Sequence, residues 1–239
     1  VRKAQVTVFI MIGMILLVFA ALFFYAAELV QKRSDIRVVE ASSAKELVEY
    51  CLGVIAEDAL IVTGRQGGFA KLPLQYFEPL NTTYLFDEGQ NEVPDVPTVQ
   101  QELANYIDDH IGNCVNDFAV LADKGIVVNE LGQPKSSVLI AERDVQFSID
   151  YPIEERKADI ATKPEFMPVK KNVKLKEVLQ LADDLVESER NNGGLFDLDA
   201  PCGLEVAHFP IDNTLITMII DADFLIQNKP YRFVFAHRR

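Results

Sequence analysis

From Ala4 to Ala27 no side chain carries a charge, and basic residues flank the run, with Arg2 and Lys3 before it and Lys32 and Arg33 after it. About 20 apolar residues suffice to cross a hydrocarbon core as a helix. Beyond this run the apolar positions continue at three- and four-residue spacing: Val38, Ala41, Leu47, Val48, Cys51, Leu52, Ile55, Ala59 and Leu60. No Pro or Gly interrupts residues 14–52. The pattern therefore predicts one rod from about residue 5 to about residue 64, roughly 90 Å long at 1.5 Å per residue, apolar in its first half and amphipathic in its second. The glycines of "GRQGGF" at 64–69 end it.

The next stretch, 70–97, holds prolines, turn formers and the aromatics Tyr76, Phe77, Tyr84 and Phe86, which we expect to pack back onto the rod. Thr98 and Gln101 have the spacing of a capping box, and Val99, Leu103, Ile107, Ile111, Cys114 and Phe118 form the stripe of a second helix. After Gly125 the period falls to two. Val138 and Ile140, then Val145, Phe147, Ile149 and Tyr151, predict two strands joined by "AERD". A strand at about 167–174 leads into a helix carrying Leu175, Val178, Leu179, Ala182 and Leu185, stopped by the glycines at 193 and 194. Three strands close the chain: "LEVAHFPI", "TLITMIID" and "YRFVFAHR".

Helices first and strands later predict an α+β fold. The long N-terminal helix has a transmembrane half and an amphipathic half, and an antiparallel sheet and additional helices pack on its outer half. Residues 1–33 form the membrane or polymer-core segment with a short basic leader, and 34–239 an extracytoplasmic α+β domain that includes the amphipathic half of the helix.

Charge narrows the partners. The 239 residues carry a net charge of −13, which argues against a nucleic-acid partner, because phosphate recognition needs clustered Lys and Arg. The positive-inside count across the apolar run is nearly balanced. The acidic domain, its cysteines and the glycosylation sequon at Asn81-Thr82-Thr83 favour an inside N-terminus and an outside domain. Cys51, Cys114 and Cys202 lack metal-pair spacing. Cys51 and Cys114 either form a bridge between two packed helices or stand as buried thiols, and Cys202 is left over.

Catalytic patterns are absent from the sequence. His110, His208 and His237 are its only histidines and none lies in a zinc motif. His110 and Cys114 are four apart on one predicted helix, a spacing that suits a shared metal or, more simply, a surface histidine beside a structural cysteine. "DLDA" at 197–200 and "DADF" at 221–224 do not follow the calcium-loop pattern. No G-x-S-x-G elbow occurs. We therefore expect no enzyme, no cofactor and no metal.

The opening "RKAQVTVFIMIGMI" resembles the class III signal of archaeal type IV pilin-like proteins. The segments "VEYCLGVIAEDALIVTGRQGGFAKLP" and "DDHIGNC" resemble uncharacterised single-span surface proteins of small archaea. The resemblance implies peptidase cleavage between Ala4 and Gln5 and a core segment carrying Val6, Phe9, Ile10, Gly13, Leu16, Leu17, Ala20, Phe23 and Phe24. Phe9 stands where bacterial pilins usually carry Glu, a departure that points away from a bacterial pilin. The implied function is a structural subunit of an extracellular filament at the cell surface. Such a subunit sits in the membrane before assembly and then pairs with other copies of itself through the N-terminal helix. The alternative is a single-pass anchored surface protein whose outer domain binds a partner or ligand.

Overall fold

In the computed structural model, which describes residues 41–192, 200–201 and 203–238, the first described helix starts at Ala44, so the predicted rod does not run unbroken into it. The continuous rod is thereby corrected. Ala41, Ser42 and Ser43 are not helical, the apolar half lies outside the described residues, and among those described no helix is long and apolar enough to cross a membrane. The reason is local. Ser43 has an extended backbone, and its hydroxyl accepts from the Glu46 N–H at 3.3 Å. The Glu46 carboxylate in turn accepts from the Ser42 N–H at 2.7 Å and the Ser42 hydroxyl at 2.8 Å. Ser43 thus caps the helix and Glu46 reaches back one residue further, to Ser42, a variant of the capping box, unnoticed because Ala41 and Ala44 keep the apolar spacing across it.

The two Ser42 bonds hold the Glu46 carboxyl below its usual range, the backbone one most strongly. That contribution is present above the unfolded carboxyl pKa and is lost as pH falls through the depressed folded value. Replacing Ser43 by alanine should cost about 1 kcal/mol in urea denaturation. An unchanged midpoint would show that the cap contributes nothing.

Helix α1, Ala44–Arg65, buries Leu47, Val48, Cys51, Leu52, Ile55 and Leu60. It ends where Gly68, at φ 100°, donates its N–H to the Thr63 carbonyl at 2.7 Å. Helix α2 spans Val96–Val115 and is capped by Asp95, which accepts from the Thr98 N–H at 2.9 Å. The cap expected at Thr98 therefore lies three residues earlier. Gln101 donates instead to Asn105 at 2.8 Å. A one-turn helix α3, Ala119–Ala122, follows, and the longer α4 spans Leu175–Asn192.

The single antiparallel sheet expected from the sequence is also corrected: the strands form three sheets, and the largest contains a parallel pair. That sheet runs β1 (Tyr76–Phe77), β2 (Thr82–Asp87), β12 (Lys229–Arg238), β11 (Thr214–Ile226), β10 (Leu204–Ile211), with β3 (Gln90–Asn91) on β2. β2 and β12 are parallel, and the Thr82 hydroxyl ties them by donating to the Val234 carbonyl at 2.8 Å. The second sheet orders β4 (Ile126–Glu130), β7 (Ile153–Lys157) and β8 (Ile160–Thr162). The third orders β5 (Lys135–Ile140), β6 (Val145–Asp150) and β9 (Val169–Lys171), with α2 against β5.

Helix α1 contacts β12, and Tyr231 comes so close that a Cβ on Gly64 would lie 3.0 Å from its ring. By strand alternation Val234 and Ala236 face the other way. There they cluster with Phe77 and Ile216, and Tyr84 packs against them. Phe77 and Tyr84 therefore do not pack onto the helix as expected.

Candidate functional site

Four polar side chains form a chain beneath α4. Glu189 lies in the last turn of that helix, His237 near the end of β12, Thr217 on β11 and His208 on β10. Register brings three of them to one sheet face: His208 pairs with Thr217, and Thr217 with Phe235, two residues from His237. The Glu189 carboxylate meets His237 Nδ1. His237 Nε2 lies 2.7 Å from the Thr217 hydroxyl, which lies 3.0 Å from His208 Nδ1. A carboxylate only accepts, so Nδ1 of His237 carries the proton. The Thr217 hydroxyl, which can both donate and accept, bridges the two rings.

Carboxylate, imidazole and hydroxyl in this connectivity are the parts of an activated nucleophile. Burial decides against that use. The side chains of His237 and Glu189 are 0% and 1% exposed, and Thr217 is 0% exposed; only His208 is exposed. Among the described residues, clefts of about 560, 360 and 230 Å³ are not lined by these side chains. The chain is an internal polar network that pins α4 to the sheet.

The 360 Å³ cleft gathers Asp108, Asp109, Asp117, Glu130 and Tyr151 beside the end of α2. Asn116, Asp117 and Phe118 have φ of 47°, 52° and 57°, a left-handed run rare outside glycine. Burial, and then the neighbouring Glu130, push the Tyr151 phenol well above its usual range. Among the described residues no group of three or more His, Cys, Asp or Glu side chains is arranged to hold a metal ion.

Of the residues singled out from the sequence, Cys51 and Cys114 are brought together as a disulfide, Cα atoms 5.8 Å apart, joining α1 to the last turn of α2. His110, one turn before Cys114, stacks on Tyr106 at 4.1 Å. Asn81 is exposed in a left-handed turn. Asp221 is buried, accepting from the Lys174 and Asp223 backbone N–H groups at 3.0 and 3.2 Å, while Asp223 pairs with the Lys174 ammonium at 2.6 Å. Ala4, Gln5 and the core residues Val6, Phe9, Ile10, Gly13, Leu16, Leu17, Ala20, Phe23 and Phe24 lie outside the described residues, as do Cys202 and Asp197 and Asp199 of "DLDA".

The Glu189 network was missed because its members are far apart in sequence and meet only through strand pairing. The available signal was a histidine at an apolar-face position in "FVFAHR" and a threonine in "TLITM". No family model, no curated protein and no solved structure matches this chain.

Proposed function

We propose that the chain is a cell-surface protein whose domain faces outward and whose apolar run, residues 4–27, sits in the membrane before assembly and then packs against other copies in a pilus-like filament. The observation that carries the outward placement is the Cys51–Cys114 disulfide, with Cys51 fully buried, because disulfides persist in oxidising compartments and are rare in the cytosol. The apolar run supports self-association: chargeless segments from several copies can bury one another, and Gly13, Ala20 and Ala21 permit close approach. The role is structural rather than catalytic, in keeping with a nucleophile-like network whose Glu189, His237 and Thr217 side chains are buried.

A second reading, a permanently anchored surface protein, is favoured by the Ser43 cap. Helix α1 has its own start, as a domain folding independently of its tether would have.

N-terminal peptide mass spectrometry on native surface material tests both. A chain starting at Gln5 in sheared filaments supports the filament subunit. Retention of Arg2 and Lys3 in detergent-extracted membrane supports the anchor. Recovery from the soluble cytoplasm with both cysteines alkylated without reductant would overturn both readings.

A further inference from the structure

We propose that Asn81 carries an N-linked glycan, and that the sugar is attached before Thr83 is locked into the fold. This rests on the outward placement of the domain. Asn81 is exposed at the end of the 3-10 turn Glu78–Leu80, at φ 50° and ψ 49°. Its backbone N–H is spent on the Glu78 carbonyl at 3.2 Å, and its side-chain amide bonds to no other described residue. The neighbouring Leu80 is 45% exposed, an apolar surface that a bulky glycan at Asn81 would shield. The amide therefore projects from a turn with room for a substituent.

The other half of the sequon is locked. A glycosyl transferase reads the hydroxyl two residues after the asparagine. Here Thr83 is 4% exposed and its hydroxyl donates to the Gln66 carbonyl at 2.7 Å. Thr82 is 0% exposed and donates to Val234. Thr82 and Thr83 also pair with Phe77 and Tyr76, and Tyr84 pairs with Ala236. Releasing Thr83 would break its bond to Gln66 and its pairing with the edge strand β1. The two ties differ in range: Gln66 lies 17 residues before Thr83, whereas Val234 lies 152 residues after Thr82. The sugar must therefore be added before Thr83 closes onto Gln66, and the covering of Thr82 is completed only when the distant strand arrives.

The reaction needs a sugar activated as a lipid-linked phosphate or diphosphate. Asn81 Nδ2 bonds to the anomeric carbon and gives up one proton. The anomeric carbon–oxygen bond breaks, and the lipid phosphate leaves with its electron pair. No redox partner is involved.

One non-reduced tryptic species tests the site together with the reading beneath it. Cleavage at Lys45, Arg65, Lys71 and Lys124 leaves peptide 46–65, with Cys51, linked to 72–124, which holds Asn81 and Cys114. In native material the linked pair should exceed its sequence mass by sugar increments, and Asn81→Gln should remove the excess. A linked pair at its bare sequence mass would overturn the glycan and leave the outward placement standing. Separate, alkylated, unmodified peptides would remove both.

The timing has its own readout, using membranes that carry the transferase and lipid-linked sugar. An open peptide 78–86 should accept sugar faster than the folded, unmodified full chain by more than about a hundredfold, since a locked site opens only on unfolding. Equal acceptance would overturn the order of events.

Discussion

Replacing both Cys51 and Cys114 with alanine lowers the unfolding free energy by about 4 kcal/mol, the expectation for a cross-link closing a loop across 63 residues. For a domain of this size that corresponds to a fall in Tm of about 10 °C. The bond joins the middle of α1 to the last turn of α2, and Cys51 is fully buried. Its loss frees the intervening turns of the unfolded chain and leaves a gap where the sulfurs stood. Thermal unfolding with and without reductant, compared with the double variant, reads the effect. If reduction shifts the wild-type midpoint by less than a degree or two, the bridge is not what holds the two helices together.

Cutting the Glu189–His237 contact from either side is the second large loss. Glu189→Leu leaves a buried imidazole without its carboxylate, and His237→Leu leaves a buried carboxylate without its imidazole. Each should cost about 3 kcal/mol or more, because a buried charged or polar group that loses its partner is not rehydrated. The double variant should recover much of that, since two apolar side chains of similar volume can fill the site. Urea denaturation of the four proteins forms a double-mutant cycle. Strictly additive losses would mean that the two residues stabilise the fold independently and that the network is an accident of packing.

Much of the helical content was legible from side-chain spacing. Leu47, Val48, Cys51, Leu52, Ile55 and Leu60 lie on the buried face read from their period, and Val145, Phe147 and Ile149 alternate inward as expected. Asp212-Asn213, residue types that favour turns, makes the turn between β10 and β11. Three features were not legible, each for a physical reason. Ser42 and Ser43 sit between alanines, so an apolar period passes through a break made by hydroxyls. β7 reads "IEERK" and β8 "IAT"; with few buried positions, neither shows a two-residue alternation. The parallel pairing of β2 with β12 depends on contacts about 150 residues apart, which no local pattern records. The polar network under α4 inherits that last difficulty, because His237 reaches Thr217 only once β11 and β12 are in register.

The placement of β12 has a mechanical consequence. It is an interior strand, parallel to β2 on one side and antiparallel to β11 on the other, and Arg238 clamps its far end by a two-pronged pair with Asp87 at 2.6 and 2.7 Å. Tension applied along this strand from beyond Arg238 loads both ladders in shear, so their hydrogen bonds must yield together rather than unzip one at a time. The domain pulled from that end would hold as a unit up to a sharp rupture force and then fail abruptly, whereas a pull across the edge strand β10 would peel it open gradually.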